Sequence, residues 1–523
     1  MADDIPRSAH LRRRNLPAFI ALGVILCLAG AVRFYKLELN GLWIDEAFTY
    51  LSTTGTQFRG YMAVPQNVII EHPPQLTDPA YAKPWWQVLR PDTQDINPPL
   101  YFFLLRLWMS AFGWQDADAR AFSIFAGLAA IAFMYGAVSE LSGRVSGLFS
   151  AAIMAFSQAQ IDFSREARSY MLVMMLGSAA AWAMVRIEKR GTSRPRLLGL
   201  AVTCIAMLLT HYFACAIVLT LIAYSWLRLR GTCRRQTLGV CIGALVLFLV
   251  AWSPVLYLQG HGASKRGITE FLDRFPAHYW MTFLRLTSLP VRYLYEPLPN
   301  MEMLSRVMPI ILLIALAMLP RRPDLLLWIL WVPINIFPSL LTDLTNHSMS
   351  LDLRRYTIPA SLGVYALLAT LCNHMRPNWR YLFPYAVLLG CCIHFTQVYT
   401  APARARQKWR ELAKEYKELV QPGDLTIMLA TPPRQDDYTD YLCIGRYLDQ
   451  WPGPTLLLNQ PPSPKLLREI QAYHHVLVIS HGAENTLLDS LSGAKVDDLR
   501  QQVFLGEIYR ISLPGLHPSS EPR

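Results

Sequence analysis

The residues best suited to chemistry gather at the ends of apolar runs. The segment LWIDEAFTY places Asp45 and Glu46 just past the first such run, flanked by Trp43, Phe48 and Tyr50. Adjacent carboxylates at a membrane boundary can serve as a general base or as metal ligands; the plain alternative is a solvated loop beside an interfacial Trp/Tyr belt. A second polar knot, IDFSREARSYM, carries Asp162, Arg165, Glu166, Arg168 and Tyr170 between two apolar runs. If the helix continues through it, Glu166 and Tyr170 share a face, and Glu166 reaches Arg165 or Arg168. Ionisable groups at membrane depth are costly and mark functional sites, or else form a structural ion-pair knot at a helix boundary. His211 lies in Thr210-His211-Tyr212 at a turn, where a hydrogen-bonded turn histidine competes with a ligand-binding one. Arg354-Arg355-Tyr356 opens a late apolar run; its guanidinium pair suits a phosphate, or lipid headgroups. No Gly-rich nucleotide loop is present, so soluble nucleotide-sugar or ATP chemistry is unsupported.

The elements that must position these groups are membrane helices. Of 523 residues 53% are hydrophobic and only 16% charged, and mean hydropathy is +0.24. Soluble domains carry about 25% charged residues. The net charge of +12 does not point to nucleic acid, because the basic residues sit in short clusters between apolar runs: Arg12 to Arg14, Arg186 to Arg196, Arg228 to Arg235 and Arg321-Arg322. Lys and Arg accumulate in this way in cytoplasmic loops. The nine cysteines lie mostly within apolar runs and show no CxxC spacing, so neither a disulfide framework nor a zinc site is expected.

Runs of bilayer length fall near 17–35, 119–141, 145–163, 169–188, 196–211, 212–230, 237–259, 303–319, 324–342, 355–373 and 379–399. The segment 98–113 is short, begins Pro98-Pro99 and carries Arg106; it reads as a juxtamembrane helix lying along the interface. With that segment horizontal, the basic loops all fall on one side. The expectation is a polytopic α-helical membrane protein of about 11 transmembrane helices, N-terminus cytoplasmic and C-terminus outside. Residues 1–15 form a cytoplasmic N-terminus and 16–400 a membrane domain whose first outer loop is 36–118. Residues 401–523 alternate strand-like DLTIMLA, PTLLLN and HHVLVIS with helical segments, the pattern of a small C-terminal α/β extracytoplasmic domain.

Taken in order, LWIDEAF, NPPLYFFLLRLW, SREARSYM, THYFA and RRYTIP resemble bacterial glycosyltransferase family 39. These are GT-C-fold membrane enzymes related to protein O-mannosyltransferases and to the lipid A aminoarabinose transferase. The resemblance spans roughly residues 16–400. It implies inverting transfer of a sugar from a polyprenyl-phosphate donor to a protein, lipid or polysaccharide acceptor, at the outer face of the bacterial inner (plasma) membrane. Asp45 then matches the catalytic aspartate, the base for the acceptor hydroxyl, and Glu46 completes the acidic pair. Glu166 matches the acidic position of the second motif, with Arg168 and Tyr170 lining the site. Arg355 and Tyr356 match the pair near the donor phosphate. Asn97 departs from the pattern: relatives place His or Lys directly before Pro-Pro-Leu, and the loss of that charge shifts phosphate binding toward Arg355 or Lys83. A divalent ion held by Asp45 and Glu166 is left open.

Two other classes share the composition. A transporter or lipid flippase would show as many spans, but with repeated halves and polar residues at mid-membrane; here no repeat is evident and the polar residues collect at helix ends. A non-catalytic sensor would explain the polar tail but not the paired carboxylates.

Overall fold

The computed structural model describes residues 7–38, 41–92, 97–261, 279–295, 323–346, 350–371, 381–400, 409–429, 438–480, 495–497 and 507–512. The span expected at 303–319 and the basic loops at 321–322 and 376–380 lie outside them. The chain divides into two compact units, one of residues 1–37 and 93–402, the other of 38–92 and 403–523. The sequence reading kept the first outer loop with the membrane domain; most of it instead clusters with the tail.

The first unit is helical. Its elements are α1 (Arg7–Phe34), α4 (Leu100–Phe112), α5 (Asp116–Ser142), α6 (Arg144–Phe156), α7 (Gln158–Ser164), α8 (Tyr170–Arg190), α9 (Arg194–Leu208), α10 (Ala214–Arg228) and α11 (Gly231–His261). They are followed by α12 (Tyr279–Leu294), α13 (Leu326–Asn346), the single turn α14 (Arg354–Thr357), α15 (Ala360–Leu371) and α16 (Leu382–Thr400). Among the described residues, five helices are long and apolar enough to cross a membrane: Leu16–Phe34, Asp116–Ser142, Tyr170–Arg190, Gly231–Gln259 and Leu326–Thr345. The protein is an integral membrane protein.

Small residues let these helices close on one another, as packing without a hydrophobic drive requires. A Cβ at Gly363 of α15 would lie 2.8 Å from Val332 Cγ2 and 3.1 Å from the Trp328 carbonyl on α13. One at Gly136 of α5 would meet the Trp182 ring of α8 at 2.9 Å.

The expected span 145–163 is not one helix. The chain is extended at Ser157, which separates α6 from α7. Arg33, only 1% exposed near the end of α1, compensates the interruption: its guanidinium donates to the Ala155 carbonyl at 2.8 Å, to Met154 at 3.4 Å and to Ser164 Oγ at 3.1 Å. A cation on the last carbonyls of a helix satisfies orphan acceptors and opposes the helix dipole. The α7–α8 junction is also broken, since Arg165–Ser169 is a turn.

The second unit carries a six-stranded sheet of order β1-β3-β2-β4-β6-β5. Strands β2 (Leu425–Leu429), β3 (Thr455–Leu458) and β4 (His475–Ser480) fall where alternation predicts them and are parallel. At one edge β1 (Ile69–Ile70), from the first loop, adds antiparallel to β3; at the other, β6 (Glu507–Ser512) and β5 (Lys495–Asp497) add antiparallel beyond β4. Alternation along β2 sends Leu425 and Ile427 to the face covered by Leu466 and Ile470 of α19 (Pro464–Gln471). Met428 goes to the opposite face, packed by α17 (Trp409–Leu419), α18 (Thr439–Gly445) and α2 (Ile44–Thr53). A short helix, α3 (Gln57–Met62), follows α2.

Candidate functional site

In the first unit, three sequence motifs meet through a row of rings. His211 sits in the turn between α9 and α10, its ring stacked on Phe213 at 5.1 Å and tilted to Tyr170 at 6.1 Å. Phe213 in turn meets Tyr356 edge-on at 5.4 Å. Each end of the row carries a guanidinium: Arg168 lies over Tyr170 at 5.9 Å and Arg355 over Tyr356 at 5.2 Å, distances at which a cation is attracted to a ring face. Glu166, 5% exposed, sits in the same turn as Arg168, whose amide donates to the Glu166 carbonyl at 2.8 Å. Because that turn is not helical, Glu166 and Tyr170 do not share a helical face as the sequence reading expected.

The short helix α4, directly after Asn97, joins the motifs. The Leu100 amide donates to the Leu209 carbonyl at 3.1 Å, fixing the start of α4 beside the His211 turn. One residue on, Tyr101 OH lies 3.2 Å from Ser123 Oγ, which donates to the Arg168 carbonyl at 3.3 Å. Asn97 precedes the Leu100 anchor by three residues. The His211 turn is braced from α11 by Tyr212, which donates to Gln259 at 2.8 Å and accepts from Trp252 Nε1 at 2.9 Å.

His211 has a fixed protonation state. The Phe213 amide donates to its Nδ1 at 3.2 Å, so the proton of the neutral ring is on Nε2. Burial, then the positive charges of Arg168 and Arg355, lower its pKa from 6.5 to about 4. The imidazole is thus a neutral Nε2–H donor in a row with a cation at each end.

The Arg354-Arg355 pair divides its labour. Arg354 donates to Asp162 Oδ2 at 3.4 Å and to the Arg292 carbonyl at 3.4 Å. Asp162 also accepts from Gln158 Nε2 at 2.6 Å. The 3-10 turn Ser350–Asp352 just upstream is pinned on two sides. Asp343 of α13, 2% exposed, accepts from the Ser350 amide at 2.6 Å and the Leu351 amide at 3.0 Å. Asp352 pairs with Arg285 at 2.9 Å and Arg292 at 3.2 Å, both on α12. Arg354 therefore anchors its turn, while the Arg355 guanidinium lies over the Tyr356 ring at the end of the row.

In the second unit, α2 carries Asp45 and Glu46 in its first turn, where carboxylates suit the helix dipole. Glu46 is fully buried and accepts from the Trp43 amide at 3.2 Å, one half of a capping box. That bond ties the Glu46 carboxylate to the helix N-terminus. Asp45 remains partly exposed. Ala47 and Leu51 bury into the core of the unit, and Arg446 lies over the Tyr50 ring at 4.2 Å, so the helix bearing Asp45 is built into that unit.

Sequence reasoning missed Phe213, which completes the ring row two residues after His211 in the same THYFA motif, and Asp352, whose partners are more than fifty residues away. Among the described residues no group of three or more His, Cys, Asp or Glu side chains could hold a metal ion.

Residues 96–258, somewhat under a third of the chain, match the family model described as dolichyl-phosphate-mannose-protein mannosyltransferase. The fold is similar to that of ArnT from Cupriavidus metallidurans bound to undecaprenyl phosphate, with 12% identity, 96% of this chain and 99% of that chain covered, and a TM-score of 0.55. It is similar to the same protein in the apo state, with 12% identity, 94% and 97% coverage, and a TM-score of 0.55. A comparison with curated proteins finds no match. The resemblance to GT-C glycosyltransferases is thus present both in the motif-bearing stretch of sequence and in a fold that aligns over nearly the whole chain.

Proposed function

We propose that this protein is a membrane glycosyltransferase that moves a sugar from a polyprenyl-phosphate donor to an acceptor hydroxyl at the extracytoplasmic face. The observation that carries the reading is the row Tyr170, His211, Phe213 and Tyr356, with the Arg168 guanidinium over its first ring and that of Arg355 over its last. Two cations suit the phosphate, and rings at half-buried depth suit the apolar face of a pyranose beside it. The match to a prenyl-phosphate-sugar transferase family and the fold shared with a protein solved with undecaprenyl phosphate support the substrate class. In this reading eleven helices span the membrane, residues 1–15 are cytoplasmic, and the tail lies outside the bacterial inner membrane.

The transfer is a single displacement with inversion. The Asp45 carboxylate takes the acceptor proton as the acceptor oxygen bonds to the anomeric carbon. The bond from that carbon to the phosphate oxygen breaks, and its electron pair leaves on the prenyl phosphate. Arg355 and Arg168 stabilise this charge, electrostatic work that contributes most where water is excluded. Asp45 then returns its proton to solvent. His211 keeps its Nε2–H as a donor to the phosphate or a sugar hydroxyl without competing for the acceptor proton. Glu46 orients the helix of Asp45, Glu166 shapes the Arg168 turn, and Asn97 supplies an uncharged hydrogen-bonding group where relatives carry a cation. Arg355 bears the phosphate charge. Protein, lipid and polysaccharide remain the acceptor classes.

The test is incubation of the protein, reconstituted in lipid, with a panel of radiolabelled polyprenyl-phosphate sugars, with and without a chelator. Label should leave one donor with the intact protein and not with Asp45→Asn, and chelation should not change the rate. Turnover of no donor by folded protein would return the chain to the transporter or flippase class.

A further inference from the structure

The second unit carries a surface unlike the rest of its exterior. Residues 79–90 form two 3-10 turns, Pro79–Tyr81 and Trp85–Leu89. Along them Tyr81 is 62% exposed, Trp85 50%, Trp86 53% and Leu89 40%. Four large apolar side chains within nine residues form a contiguous outward face, of the kind that marks an interaction site on a soluble surface. Lys83 and Arg90, both exposed, flank it.

Part of the backbone beneath this face is held from the inner side. Lys83 N–H donates to the Thr54 carbonyl at 2.8 Å. Gln57, itself 8% exposed, donates through Nε2 to the Gln87 carbonyl at 3.1 Å and to the Arg90 carbonyl at 2.6 Å. Asp78 accepts from the Ala80 amide at 2.8 Å. Val88, 2% exposed, plugs the turn into the body, and Gly55, at φ +77°, permits the approach: a Cβ there would lie 3.3 Å from those of both Gln87 and Lys83. In a 3-10 turn residues three apart are eclipsed, and Trp86 and Leu89, so related, are both exposed.

The buried glutamine supplies main-chain carbonyls that lie beneath the indoles and away from solvent, which holds the exposed face in a fixed shape. Trp and Tyr prefer the headgroup level of a bilayer, and flanking Lys and Arg pair with anionic headgroups. The position in the chain agrees, because Asp92 ends this stretch of the second unit and the helical membrane unit resumes at Thr93.

We propose that the Tyr81–Arg90 edge is a membrane-interface anchor, with Trp85, Trp86 and Leu89 seated among lipid headgroups and Lys83 and Arg90 paired to anionic lipid. The anchor is independent of whether the protein transfers sugar.

The experiment uses the full chain in nanodiscs containing phosphatidylglycerol brominated high on the acyl chains, brominated near the chain ends, or unbrominated. With 14 tryptophans in the protein, the relevant signal is the difference in emission between wild type and Trp85→Phe/Trp86→Phe. The difference emission should lose most of its intensity in the shallowly brominated discs, lose less in the deeply brominated ones, and lose less again with Lys83→Gln/Arg90→Gln in discs of reduced anionic content. A difference emission indifferent to bromine, in protein whose thermal transition matches wild type, would leave the face to a water-soluble partner and overturn the proposal. If the Phe pair does not fold, single Trp85→Tyr and Trp86→Tyr variants give the same readout one ring at a time.

Discussion

Lowering the pH should destabilise the first unit through His211, and by an amount that its surroundings set. The groups facing the imidazole are Arg168 and Arg355, both cationic, and the rings of Tyr170 and Phe213. In the unfolded chain the imidazole titrates near 6.5; in the folded protein it stays neutral down to about 4. Above 6.5 neither state binds the proton and stability is unaffected. Between 6.5 and 4 only the unfolded chain binds it, so folding stability falls with each step downward, and below 4 the loss is complete. At about 1.36 kcal/mol per unit of pKa difference, the full loss is about 3 kcal/mol. The assay is the thermal transition of the full chain in detergent, from pH 7 to pH 4, for wild type and His211→Gln. Glutamine keeps an N–H near the Nε2 position and cannot titrate. A loss of that size lowers the midpoint by several degrees, so the wild-type curve should drop more steeply than that of His211→Gln, with the gap opening below about pH 6.5. Parallel curves would refute the placement of two guanidiniums against this ring.

Breaking the anchor of Arg354 should cost more than removing it. Asp162 and Arg354 are 11% and 13% exposed, so Asp162→Ala alone leaves a desolvated guanidinium and costs about 3–5 kcal/mol, and the double variant with Arg354→Ala should melt closer to wild type. The two neighbouring carboxylates of α2 should separate cleanly. Asp45→Asn keeps the melting temperature and loses transfer by about 10²–10⁴-fold, while Glu46→Ala lowers stability by about 1–2 kcal/mol and Glu46→Gln restores much of it. A transfer loss in Glu46→Gln as deep as in Asp45→Asn would contradict the capping role. A reporter fused after Arg404 should be accessible from outside the membrane; a cytoplasmic result would break the eleven-span topology.

Composition and periodicity were enough to read the membrane character, the places of most described helices, and strands β2 to β4, because each depends on burial that repeats within a short stretch of chain. The motif residues were legible for a similar reason: a charge beside an apolar run is conspicuous wherever the run ends. What neighbours could not tell was how each motif residue is used. Arg354 and Arg355 are adjacent and chemically equal, yet one is held by Asp162, almost two hundred residues away, and the other lies over the Tyr356 ring. Asp45 and Glu46 are likewise equivalent in sequence until folding turns one carboxylate back onto the Trp43 amide. Helix α6 ends at Ser157 although its apolar pattern runs on, because the guanidinium that satisfies its last carbonyls comes from α1. Strand β1 is two residues of the first loop, too short for any alternation, and exists only because β3 offers an edge. Local pattern determines which groups leave water; the tertiary structure decides which partner each then meets, since a buried charge or amide must be satisfied by whatever folding brings within reach.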